Sequence, residues 1–481
     1  MCINQIVILS LPHDVNMALA FDIYEIIFNR LDFLSQIRLR QIVLVVYENL
    51  QMTDFYNISE EILNLLSNDV IQLYPHIRKL NAANNKMITN INHLKQLRVL
   101  NAEANCGIKQ AGLSKLCNIE ELHIVSNAKI TDVNHLQKLQ FLNINNMKQK
   151  GINELRELKI LFVQKNSRIR NINHLQQLYK LVISSPNNNL DQKSISDLHN
   201  LKVLEISHNQ KITDINHLHS LCELDIGDDC GVGQSGISEL RNLIKFCTRN
   251  TKIRSVNHLQ KLRELHACGY AGIYQDGICE LKQIVKLDVS NNAGITSVNH
   301  LTELRELYAS DYSGIDQNGI SELNQIIKLD VSNNAGITSV NHLTDLRELK
   351  AYGTCGIDQN GISELRQIVK LDASYNRKII SVNHLLELCE LKACSTCGID
   401  QNGISGLRQI VKLEVSYNHK IICVNHLLAL DELHAGGSCG IDQNGISKLR
   451  KLTILYIYCN DIIGSVAHLK NLRKLNKLIL R

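Results

Sequence analysis

The chain contains no tryptophan, three prolines and seven phenylalanines in 481 residues. That scarcity excludes no class of function, but other absences do. No apolar run reaches the 18 or so residues that a membrane-spanning helix needs, so no membrane partner is expected. With 52 basic against 47 acidic residues the net charge is +5, and no basic run precedes the short tail at 470–481. Such a balance argues against nucleic acid as a partner. The opening stretch, MCINQIVILSLPHDV, has neither a basic n-region nor a small-residue cleavage site, and no secretory signal is expected. A Gly-rich phosphate loop, a Gly-x-Ser-x-Gly elbow and a His-Glu-x-x-His pair are all missing. Catalysis therefore has no visible home, and neither an enzyme nor a cofactor is expected.

What is present is repetition. Asn-His-Leu recurs with its histidine at His93, His135, His174, His217, His258, His300, His342, His384 and His426, and as Ala-His-Leu at His468. The interval settles at 42 residues and holds two units. One unit, IVKLDVSNNAGITSVNHL from Ile284, fits L-x-x-L-x-L-x-x-N-x-x-I, with Leu287 and Val289 directed inward and Asn292 at the asparagine position. In the other, LRELYASDYSGIDQNGISEL, the inward parts fall to Leu304, Leu307 and Ala309.

These units resemble leucine-rich repeats, closest to the short-unit type of internalin-like and phosphatase-regulatory proteins. The resemblance implies an α/β fold: a leucine-rich-repeat solenoid of about twenty units over 77–481, with a parallel β-sheet on its concave face. Physics points the same way, because one short strand cannot bury its apolar residues alone and stacked units share a core. The asparagine position is filled by Asn85, Asn127, Asn166, Asn209, Asn292, Asn334, Asn376, Asn418 and Asn460, with Thr251 as the one departure. A buried amide there satisfies loop backbone groups, so these asparagines are expected to be scaffold.

Residues 1–76 break the period and carry apolar residues at helical spacing, including Ile62, Leu65, Leu66, Val70 and Leu73 after an N-cap at Ser59. The spacing predicts a small helical segment ended by Pro75. Leu19, Asp22, Ile23, Ile27, Phe28, Leu31, Asp32, Ser35, Leu39 and Arg40 follow, in order, the pattern of an F-box, which they resemble. Ala20, Gln36 and Val46 depart from it. The resemblance implies a substrate receptor of a ubiquitin ligase, with Ile27, Phe28 and Leu31 docking a Skp1-type adaptor. The alternative is a plain binding or regulatory protein, phosphatase-regulatory-like, whose N-terminal helices only cap the solenoid.

Ten histidines in register raise the question of metal. Equivalent units lie two strand spacings apart, so neighbouring rings are about 10 Å apart, too far for one zinc ion, which wants its nitrogens at about 2.0–2.1 Å. Asn299 is expected to cap a short outer turn with His300 near its start. The fifteen cysteines are odd in number and spread through a long chain, which fits reduced thiols in an intracellular, cytoplasmic protein. Cys106, Cys230, Cys355, Cys397 and Cys439 all precede Gly-Ile and are expected to be small buried residues.

A binding face is expected on the strands, where the residues flanking the inward leucines point outward. One column reads Lys245, Glu264, Lys286, Glu306, Lys328, Glu348, Lys370, Glu390, Lys412, Glu432, an alternation that favours the register without specifying a partner. The next columns vary between copies, with His266, Tyr308, Lys350, Lys392 and His434 at one position and Tyr352 at another. A protein target on the concave face is expected to meet these residues, with Tyr308 and Tyr352 as anchors.

Overall fold

The computed structural model describes residues 53–145, 147–166 and 168–476. The described residues fall into two compact units, divided between Leu201 and Lys202. Within each, every turn of chain adds one short parallel strand beside the last. Among the described residues the strands run from Asp54–Phe55 to Lys180–Ser184 in the first unit and from Val203–Ser207 to Lys474–Asn476 in the second. Asp54–Phe55 pairs with Lys79–Asn81, so a strand of the sheet lies inside the stretch expected to be helical.

One leucine per turn sets the register. Leu80, Leu100, Leu122, Leu142, Leu161 and Leu181 lie opposite one another in the first unit. Leu265, Leu287, Leu307, Leu329, Leu349 and Leu371 do so in the second. Each is buried, while the residues on either side of it face outward. A one-residue slip would turn every leucine to the wrong face, which is why the register holds.

Away from the strands the chain winds with a period of three. Ile295, Val298, Leu301, Leu304 and Leu307 are all essentially inaccessible. The wall opposite the sheet is made of short 3₁₀ turns such as Asn318–Ile320 and Asn360–Ile362, and among the described residues helix is scarce: Glu60–Leu63, Asn68–Gln72 and Gln110–Leu113. The single helix expected from Ser59 to Pro75 is broken in two. Ser59 caps with backbone only, and a second start at Ser67 accepts a hydrogen bond from the Val70 amide at 3.4 Å. A new cap satisfies amides that an unbroken helix would have bonded internally.

The repeated string GIDQNGIS is a set of joints between turns. Asp316 caps its own 3₁₀ turn by accepting from the Gly319 amide at 3.0 Å. Gln317 accepts from the amides of Thr338 and Ser339, one turn ahead, at 3.0 and 2.8 Å. Gly319 must be glycine, since a Cβ there would stand 2.3 Å from the Thr296 carbonyl oxygen of the preceding turn. Ser321 donates back to the Asn318 carbonyl at 2.9 Å, and Ile315 and Ile320 fill the core.

Candidate binding surfaces on the sheet and its loop edge

The repeated polar residues resolve into scaffold. Asn334 donates to the carbonyls of Ala309 and Ile315 at 2.9 and 3.0 Å and accepts from the Gly336 amide at 2.8 Å. In the copy that has Thr251 at this place, the neighbouring Asn250 does this work. It is buried, donates to Cys230 and Val232 carbonyls, and accepts from the Lys252 amide. The position is thus filled by asparagine there too, because the interval shortens to 41 residues at that copy.

Asn299 does not cap its own turn. Its amide donates to the Asn318 carbonyl at 2.8 Å and accepts from the Glu322 amide at 3.1 Å, both in the following turn. His300 reaches the other way, its Nε2 3.0 Å from the Ile278 carbonyl of the preceding turn. A carbonyl only accepts, so the ring carries its proton on Nε2. His342, His384 and His426 repeat the contact with Ile320, Ile362 and Ile404 at 2.9, 2.9 and 3.0 Å. Burial pushes the pKa of His174, His258 and His384 down, which keeps these rings neutral. Asn-His-Leu is a two-way clasp: the asparagine holds the next turn and the histidine the last one.

Cys106, Cys230, Cys355, Cys397 and Cys439 are buried at the counterpart of the asparagine position. Burial pushes the thiols of Cys355, Cys397 and Cys439 up to about 11, so they stay protonated and unreactive. Among the described residues no three His, Cys, Asp or Glu side chains cluster as metal ligands, and no helix is long and apolar enough to cross a membrane.

On the sheet face of the second unit the first charge column is bonded as its alternation implied. Lys245 and Lys286 flank Glu264 at 3.4 and 3.2 Å, Lys328 lies 3.8 Å from Glu306 and 3.7 Å from Glu348, and Lys370 is 3.0 Å from Glu390. A second alternation, which the sequence reading passed over, runs beside it. His266, Tyr308, Lys350, Lys392 and His434 sit between Asp288, Asp330, Asp372 and Glu414 on the intervening strands. Those acids occupy the second residue after Lys286, Lys328, Lys370 and Lys412, a signal present in the sequence as Lys-Leu-Asp or Lys-Leu-Glu.

The individual residues differ in how free they are. His266 Nε2 is 2.6 Å from Glu264 and Nδ1 3.6 Å from Asp288. Hydrogen bonding to Asp288 and then to Glu264 raises its pKa against the pull of burial. Burial works against ionised Glu264, yet His266, Lys286 and Lys245 bring its carboxyl down to about 2. His434 is likewise tied to Glu432 at 2.5 Å, with its ring 4.3 Å from that of Tyr456 and tilted by 37°. Tyr308 donates to Glu306 at 3.3 Å, and burial followed by the Glu306 charge pushes its hydroxyl up to about 12. Lys350 and Lys392 pair with Asp330 and Glu414 at 3.2 and 3.0 Å.

Tyr308, Lys350 and Lys392 line one shallow groove of about 350 Å³ with Lys328, Asp330 and Asp372. Tyr352 is not in it. It sits at the loop edge, in a separate hollow of about 590 Å³ that includes Tyr375 and Arg377. Ile27, Phe28 and Leu31 lie outside the described residues.

No protein-family model and no curated protein matches the chain, so the F-box resemblance rests on its residues alone. Solved structures do match. A TLR13–ssRNA13 complex superposes with a TM-score of 0.54 at 18% identity, over 86% of this chain and 70% of that one. The fold is a leucine-rich-repeat solenoid. A leucine-rich-repeat protein of Leptospira interrogans superposes with a TM-score of 0.49 at 20% identity, over 70% of this chain and 95% of its own.

Proposed function

We propose that this leucine-rich-repeat chain is a non-enzymatic recognition scaffold that holds a protein partner against the sheet face of its second unit. The observation that carries the reading is the groove at Tyr308. There, on strands paired on both sides with parallel neighbours, residues that differ between otherwise near-identical copies stand side by side. A rigid frame with a varied outer column is what recognition by a repeat protein requires. Tyr308 is the anchor, since a half-buried aromatic with a hydroxyl gives a large contact area at low entropic cost.

The alternating columns leave no continuous positive track for phosphates, so they support a protein rather than a nucleic acid like the one named with TLR13. The finer reading, in which 1–76 recruits a Skp1-type adaptor to make the chain a ubiquitin-ligase substrate receptor, is supported by the F-box-like residues only.

The test is photo-crosslinking in cells from a benzoylphenylalanine placed at 308 or, on the opposite wall, at 299. A protein crosslinked from 308 and not from 299 is expected. Its affinity should fall by about 1–2 kcal/mol with Tyr308→Ala and by no more than about 0.5 kcal/mol when Lys328 and Glu348 are exchanged. Crosslinking from 299 alone would put recognition on the other wall and sink the reading.

A further inference from the structure

A row of tyrosines follows the loop edge at the C-terminal ends of the strands. Tyr352, Tyr375, Tyr417 and Tyr458 are 37, 47, 52 and 42% exposed. Three of the rings make close contacts: those of Tyr352 and Tyr375 lie 5.2 Å apart at 57°, and that of Tyr417 covers Gly437, where a Cβ would come within 2.2 Å of it.

Two of them are held at an unfavourable backbone angle. Tyr375 and Tyr417 have φ of 60° and 62°, in the left-handed region that a bulky side chain rarely adopts. The same loop position is taken by Asn291, Asp311 and Asn333 in preceding turns and by Gly269, Gly353 and Gly437 in others. The fold therefore closes this loop without tyrosine. An exposed aromatic kept where asparagine or glycine fits better points to use of the ring itself.

Cations accompany the rings. Arg377 and Lys378 follow Tyr375, Lys420 follows Tyr417, and all three are exposed. Lys378 and Lys420 donate to the carbonyls of Cys355 and Cys397 at 3.3 and 2.9 Å, which fixes both ammonium groups on this edge. The loops 352–356, 374–378, 394–398, 416–420 and 436–440 contain no aspartate or glutamate, and beyond the tyrosines and cations they are mostly Ser, Thr, Asn, Gly and Cys. Tyrosine set among small polar residues is the composition of surfaces that bind protein.

We propose that this loop edge is a second docking surface, for an acidic segment of a protein partner: apolar side chains lie on the tyrosine rings, and carboxylates meet Arg377, Lys378 and Lys420. A polyphosphate chain fits less well. The cations are few, and the strands leading into the loops carry Asp372 and Glu414 on their outer face. The surface is independent of the groove at Tyr308.

The experiment is selection of phage-displayed random dodecapeptides on the full chain, followed by affinity measurement of the enriched peptides. Enrichment of Asp and Glu beside aromatic or aliphatic residues is expected, with binding that weakens as salt is raised. Tyr375→Asn combined with Tyr417→Asn should weaken these peptides about tenfold or more. Since the preceding loops already carry asparagine at this angle, the double variant should keep or raise the thermal midpoint, which separates lost binding from lost folding. Enriched peptides without acidic residues, or indifferent to the double substitution, would overturn the proposal. So would a twelve-nucleotide oligo(U) that binds more tightly than the peptides through the same tyrosines. Peptides that depend on Tyr308 and not on Tyr375 and Tyr417 would support the sheet-face groove and refute the edge.

Discussion

Histidine does opposite things in this chain according to what stands at its nitrogens. In the clasps, a carbonyl partner and burial hold rings such as His384 neutral, whereas at His266 the carboxylates of Asp288 and Glu264 favour the charged form. Lys245 and Lys286 face the same cluster through Glu264. A folded pKa above the unfolded value of about 6.5 means that protonated His266 adds stability fully below that pH, and that the gain fades as pH rises through the folded value. The two carboxylates ionise well below this window and leave its sign unchanged. His266→Gln should therefore lower stability by roughly 0.5–1 kcal/mol near pH 6 and by less near pH 8, read from urea midpoints at both pH values. A loss that grew with pH would mean the ring is neutral in the native state. Residue types and their periodic recurrence were enough to mark the asparagines and histidines as scaffold, but not the direction of each bond. That direction depends on which neighbouring turn lies within reach.

At the scale of one turn, the leucine rung carries the register. Leu329 lies between Leu307 and Leu349 and is almost inaccessible. Leu329→Asp puts a carboxylate there without a partner, at a cost of several kcal/mol. Limited proteolysis should then cut the adjoining loops at 310–314 and 332–336, and unchanged resistance would show that this residue is not the inward rung. Strand alternation was legible because a period of two survives in a three-residue strand. The opposite wall was not, since short 3₁₀ turns have no amphipathic stripe long enough to read and depend on caps such as Asp316 and on the close approach at Gly319. The break between Glu60–Leu63 and Asn68–Gln72 has the same origin: the helical spacing there was real, but tertiary packing and a local cap outweighed weak propensity.

For the molecule as a whole, the reading that joins an adaptor-binding segment to a recognition solenoid makes one direct prediction. Full-length chain should capture a purified Skp1-type adaptor, and alanine at Ile27, Phe28 and Leu31 together should reduce capture by about tenfold or more. Equal capture by both chains, or none by either, would leave the N-terminal residues as a cap. Repetition alone determined the solenoid, its unit length and its inward leucines, because each unit sees nearly the same neighbours and so repeats the same local solution. The sequence also showed that polar residues alternate in sign along the strands. Only the tertiary structure decided what those residues do. It put Tyr308 in the groove and Tyr352 on the loop edge, supplied the acidic partners of the varied column, and bent the backbone at Tyr375 and Tyr417. These outcomes depend on contacts between turns some 20 residues apart in the chain, where lateral distance and backbone angle, rather than residue type, set which groups meet.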